Sequence, residues 1–185
     1  MREDLQEAWG LIEAGRYEEA EACLRQDPTP EARFVLGYAL AFGGRLEEAL
    51  ALYQVLYRET GSHKALHQAG FVLRLLGRLE EALAVFKEEA RLPLGPLERA
   101  VNLYEQGYAA LLMGRKGEAR SLLEEGLRLA QAAGDPACMA PLHRGLWEWH
   151  RRFGSPEAAE AHWEAARRLF LEAGDPRGAE EMGNP

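Results

Sequence analysis

Gly44-Arg-Leu-Glu-Glu-Ala49 and Gly77-Arg-Leu-Glu-Glu-Ala82 are the same six residues, 33 positions apart. Three looser copies accompany them: Gly15-Arg-Tyr-Glu-Glu-Ala20, Gly114-Arg-Lys-Gly-Glu-Ala119 and Gly154-Ser-Pro-Glu-Ala-Ala159. Successive alanines are separated by 29, 33, 37 and 40 residues, an interval that marks stacked supersecondary units and not one globular core. In each copy the glycine is expected at positive φ in a tight turn between two helices. The alanine then opens the second helix where two backbones approach. Twelve residues before the alanines stand Ala8, Gly37, Gly70, Gly107 and Trp147, so four of the five first helices are notched as well. Four residues after them stand Leu24, Tyr53, Phe86, Leu123 and Trp163, bulky groups that fill the space between repeats.

Small, small and large at these offsets resembles the tetratricopeptide repeat, and the likeness extends over residues 1–174. It departs from the family signature at the early Trp position, filled here by Asp4, Arg33, Leu66 and Leu103, and at Trp147, where a small residue is usual. The last two copies share Ala133-Gly-Asp-Pro136 and Ala173-Gly-Asp-Pro176 and resemble the longer repeats of bacterial sensors and regulators of this family. The resemblance implies an all-α, right-handed superhelical solenoid of five antiparallel helix pairs, about 1–28, 29–61, 62–94, 95–134 and 135–174, with a tail over 175–185.

The junctions support the same register. In Ala-Gly-Asp-Pro the glycine ends a helix, the aspartate caps the next and the proline suits its first turn. Thr29-Pro30 and Ser155-Pro156 open helices by the same logic. Ten helices are predicted: 2–14, 17–27, 30–42, 46–60, 63–76, 79–91, 96–113, 116–133, 136–152 and 156–173. No segment alternates with the period of a strand.

A net charge of −8 argues against a general nucleic-acid partner, because such binding is driven by neutralising phosphates. The charged start, Met-Arg-Glu-Asp-Leu-Gln-Glu, lacks the apolar core of a signal peptide, and no run of 18 apolar residues predicts a membrane span. Cys23 and Cys138 fall in the first and last repeats, too far apart along a solenoid to pair. A reduced, cytoplasmic protein with no membrane partner is expected.

In the family the resemblance points to, the first helix of each pair lines a concave face, with positions 15, 11, 8 and 7 residues before the fixed alanine turned towards it. At minus fifteen stand Leu5, Phe34, His67, Tyr104 and Arg144, and at minus eleven Trp9, Tyr38, Phe71, Tyr108 and Glu148. Such a stripe is either packing or an exposed interaction surface. The burying positions are already filled by Leu24, Tyr53, Phe86, Leu123, Leu36, Leu40, Leu73 and Leu76, which favours exposure. Arg144, Arg151 and Arg152 change the character of the far end, with Arg74 nearer the middle. They either offer bidentate contacts to an acidic residue or C-terminal carboxylate, or are solvated and paired with Glu148. The family's Lys and Asn carboxylate clamp is absent, since Leu5, Trp9, Phe34 and Tyr38 occupy its places. Chaperone tails are therefore not the expected ligand.

Chemistry-bearing motifs are thin. His63 and His67 are four apart and His143 and His150 seven apart, but neither pair has a third ligand in sequence, so no metal or other cofactor is expected. No phosphate loop or nucleophile elbow is present, and an enzyme is not expected. The second Ala-Gly-Asp-Pro announces a sixth helix pair that Arg177 to Pro185 are too short to supply. The face of the last helix bearing Trp163, Ala166, Leu169 and Phe170 is thus either bare, which would support a homodimer, or covered by the tail. The leading expectation is a scaffold or adaptor that binds a peptide segment of a partner protein in an aromatic-rich groove. A ligand-sensing regulatory module and a self-associating assembly factor are the alternatives.

Overall fold

In a computed structural model that describes residues 2–184, every regular element is an α-helix. Residues through Val85 form one compact unit and those from Phe86 a second. The first unit holds α1 (Glu3–Glu13), α2 (Tyr17–Leu24), α3 (Pro30–Phe42), α4 (Leu46–Thr60), α5 (His63–Leu75) and the start of α6 (Leu79–Glu89). The second holds the end of α6, α7 (Pro96–Leu112), α8 (Lys116–Ala133), α9 (Pro136–Phe153), α10 (Pro156–Glu172) and α11 (Pro176–Glu181). In the first unit α1 to α5 pack consecutively and in the second α7 to α11 do, and α1 also meets α3 as α7 meets α9, the pattern of stacked hairpins.

The turns explain why this sequence folds this way. After α3, Gly44 sits at φ 84°, in the left-handed region that a side chain disfavours. The Arg45 amide reaches back to the Leu40 carbonyl at 2.8 Å and the Gly44 amide to the Ala41 carbonyl at 3.1 Å, which satisfies carbonyls at the helix end. The same pair of bonds recurs at Gly15, Gly77 and Gly114. Arg16, Arg45 and Arg78 then donate to Glu19, Glu48 and Glu81 in the first turn of the next helix, at 2.6, 2.7 and 2.8 Å. The fifth turn breaks the expectation. Gly154 has φ −114°, extended backbone open to any residue, and its amide bonds to His150. Space is the constraint there, since a Cβ on Gly154 would lie 2.3 Å from His150 Nδ1.

The repeated alanines are buried as expected: Ala20, Ala49, Ala82 and Ala119 are fully enclosed, and Ala159 nearly so. Opposite them the notches are filled by the bulky set. A Cβ on Gly37 would lie 2.3 Å from the Tyr53 ring and one on Gly107 2.8 Å from Leu123 Cγ. At the fifth hairpin the buried Trp147 replaces the notch, and Ala140, Ala159 and Ala166 make room for its indole. Caps fall where the sequence places them. Thr29, Asp135 and Ser155 each accept from a backbone amide three residues on, and a proline follows each cap.

One joint is polar. Asn102 of α7 is fully buried and donates to the Phe86 carbonyl at 2.9 Å and to Glu89 Oε2 at 2.8 Å, while its own oxygen accepts from Gln106 at 2.6 Å.

The tail folds back, so of the two alternatives the end is covered and not bare, and the bare face that would support a homodimer is not there. Asp175 caps α11 by accepting from Gly178, and Ala179 and Met182 pack on Trp163, Ala166, Leu169 and Phe170. Trp163 Nε1 donates to the Met182 carbonyl at 3.2 Å. Cys23 is exposed, Cys138 is buried, and both are free thiols. Among the described residues no helix is long and apolar enough to cross a membrane.

These contacts set two expectations for stability. Gly37→Ala should cost about 1–3 kcal/mol by forcing Tyr53 aside. Gly10→Ala, with nothing within 4 Å of its Cβ, should instead add about 0.5–1 kcal/mol in urea unfolding. Equal effects would contradict the notch. Met182→Ala should cost about 2 kcal/mol and raise self-association in light scattering; an unchanged melting temperature would show that the tail does not seal the end.

Candidate functional site

In the first unit, α1 and α3 present aromatic residues on adjoining faces. Trp9 and Tyr38 meet edge to face at 4.9 Å, Phe34 and Tyr38 at 5.5 Å, and Tyr38 stacks on Phe42 at 6.0 Å. Trp9, Phe34 and Tyr38 are half-buried, whereas Leu5 is buried in the core. The Tyr38 hydroxyl accepts from Gln68 Nε2 at 2.7 Å, and burial raises its phenol above the ordinary value. Beside this cluster an open cleft of about 1020 Å³ is walled by Leu5, Trp9, Phe34, Val35 and Leu56, with Arg2, Glu31, Thr60, Ser62 and Lys64 at its border. On α5, His67 and Phe71 are half-buried, and the Arg74 guanidinium lies over the Phe71 ring at 5.0 Å.

In the second unit, the buried Tyr104 and half-buried Tyr108 stack at 5.6 Å. Their hydroxyls engage α9. Arg144 Nη2 donates to Tyr104 at 3.0 Å, and Tyr108 donates to Glu148 at 3.1 Å. Burial first, and the Glu148 carboxylate second, push the Tyr108 phenol up to about 12. Arg144 is half-buried and also sits over Phe170 at 5.7 Å. Arg152 donates to the Leu111 carbonyl at 2.9 Å, a helix-end role. Arg151 is exposed and lies over Trp147 at 4.9 Å.

The structure thus brings Leu5, Trp9, Phe34 and Tyr38 together in one unit and Tyr104, Tyr108 and Arg144 together in the other. Two of the named residues, Leu5 and Tyr104, are too buried to offer more than an edge. Sequence reasoning passed over the most exposed members of the same faces. Phe42, Leu75 and Leu112 are 49%, 45% and 41% exposed, and each stands seven residues before a fixed alanine. The register that located the minus-fifteen and minus-eleven positions was sufficient to find them. It gave no sign that Leu56, from the end of a second helix, walls the cleft.

Residues 5–63 and 64–88 match models of the tetratricopeptide repeat. No curated protein matches the chain in sequence. Among solved structures, the chain is similar to TTC0263, a thermophilic protein of this repeat class in Thermus thermophilus: 22% identity, 94% of this chain and 93% of that one covered, TM-score 0.73. It is also similar to pilF of Pseudomonas aeruginosa, at 21% identity, 97% and 87% coverage and TM-score 0.68. A third is PlcR of Bacillus thuringiensis, solved with the peptide PapR7 and DNA, at 15% identity, 98% and 73% coverage and TM-score 0.78. These likenesses concern the fold, an all-α helical repeat.

The contact between α7 and α9 through Tyr108 is directly measurable. A double-mutant cycle of Tyr108→Phe and Glu148→Gln should return a coupling of about 1 kcal/mol in unfolding free energy. Additive effects would show that the hydroxyl and the carboxylate act separately.

Proposed function

The chain is a tetratricopeptide-repeat protein, and we propose that it acts as a scaffold or adaptor that holds a peptide segment of a partner protein against the aromatic faces of its first helices. One observation carries this reading: Phe42, Leu75 and Leu112, equivalent in successive repeats, expose large apolar side chains where a solvated helix face needs none. Half-buried aromatics stand one turn away at Tyr38, Phe71 and Tyr108, rigid groups that lose little entropy on contact. The cleft of Leu5, Trp9 and Phe34 accepts one apolar anchor of such a segment. The first helices also carry polar groups, His67 and Arg74 in the first unit and Arg144 and Arg151 in the second. The charge of −8 suits a protein partner better than a nucleic acid.

A second reading, a regulator that changes state on binding a small peptide, draws on the likeness to PlcR, which was solved with the peptide PapR7 and DNA. The two differ in what stabilises the protein. An isolated short peptide should raise the melting temperature of a regulator, whereas an adaptor should respond only to a longer segment of its partner.

The test is selection of binding peptides from a displayed library, followed by affinity measurement on the triple variant Phe42→Ala, Leu75→Ala, Leu112→Ala. Exposed substitutions should leave the melting temperature nearly unchanged. Binding should weaken at least tenfold, about 1.4 kcal/mol. The same peptides should also be lost with Tyr38→Ala, Phe71→Ala, Tyr108→Ala at retained helicity. Affinities unchanged in both variants would overturn the proposal and move the search to the outer helices.

A further inference from the structure

His143 and His150 stand on α9 and His162 on α10, and the three rings form one cluster between the last two long helices. His143 Nδ1 and His162 Nδ1 are 2.8 Å apart, a hydrogen bond in which one ring donates and the other accepts. The rings of His150 and His162 stack at 5.3 Å and 19°. His143 and His162 are half-buried, and His150 Nδ1 is buried with no hydrogen-bond partner, pressed against Gly154. The arrangement requires that the paired imidazoles not both be protonated. A bond between two ring nitrogens is lost once both carry protons, and two stacked cations repel. It is not a ligand set: among the described residues no three His, Cys, Asp or Glu side chains are grouped to hold a metal ion. Two nitrogens at about 2.0–2.1 Å from a tetrahedral zinc would stand roughly 3.3 Å apart, further than these do.

The surrounding charges act mostly in the same direction. Burial, then His162 and then Arg168 of α10 hold His143 down at about 4. Burial and Arg120 of α8 hold His150 below its ordinary value, and burial and His150 hold His162 below its own. Glu124 of α8 opposes the last two shifts without reversing them.

We infer that this imidazole cluster is a proton-operated latch between α9 and α10: neutral, it holds the last helix pair closed, and proton uptake releases it. The sign follows from linkage. Because the folded values lie below the unfolded value of 6.5, the stabilisation is fully present above pH 6.5 and is lost as pH falls towards about 4.

The experiment compares thermal melts of the full chain and of His143→Gln, His162→Gln from pH 7.5 to 4.5. Carboxylate contributions are common to both proteins. The parent should therefore lose stability more steeply below pH 6.5, its unfolding equilibrium constant rising up to about tenfold more per pH unit for each silenced imidazole. Parallel curves would overturn the latch. If the variant fails to fold, imidazole proton resonances of the parent decide. His143 remaining neutral to near pH 4 supports the latch, and titration near 6.5 refutes it. Zinc that raises the melting temperature of the parent but not of the variant would also refute it, by revealing a metal site.

Discussion

The hairpins of α3 with α4 and of α7 with α8 depend on a backbone passing close to a bulky side chain. At Gly37 there is no room for a single carbon, because the Tyr53 ring fills the place a Cβ would take, and Leu123 does the same at Gly107. Enclosed alanines let the second helix come equally near from the other side. Dispersion contacts of this density are worth little singly, but they fix the spacing of two helices to within a methyl group. On the first helices stand Tyr38 and Phe42, Phe71 and Leu75, Tyr108 and Leu112.

Where the rule lapses, the chain substitutes another device. At the fifth hairpin Trp147 replaces the notch and three alanines recede to admit it, while the turn gives up its left-handed glycine. The cost is a more polar seam. Instead of one aromatic wedged into a groove, α9 and α10 meet partly through histidines. α10 then finishes against α11, a helix of six residues, where Ala179 and the following Met182 stand in for a further repeat.

Most of the fold was legible because its signals are local and repeated. Gly15, Gly44, Gly77 and Gly114 mark turns by a conformational demand that only neighbouring residues decide. Thr29, Asp135 and Ser155 mark helix starts by bonds to amides three residues away. What escaped was long-range. Arg144 reaching Tyr104, Trp163 reaching the Met182 carbonyl and His162 joining His143 each depend on how two hairpins meet, and no single periodic pattern encodes that. The site was legible in position but not in exposure. Register identified the face, yet Leu5 and Tyr104 lie too deep, and the outermost residues were one turn further on.

Asn102 sets a limit on how far the repeats are interchangeable. Hairpins joined only by apolar contacts tolerate exchange, because any neighbour of suitable volume completes the seam. The junction of α6 with α7 does not. Its carboxamide is answered by the Phe86 carbonyl, by Glu89 and by Gln106, so these groups must arrive together or strand a polar atom in a dry interior. An array rearranged by duplication or shuffling must cut elsewhere. Residues 86–106 behave as a keyed joint, whose parts work only together.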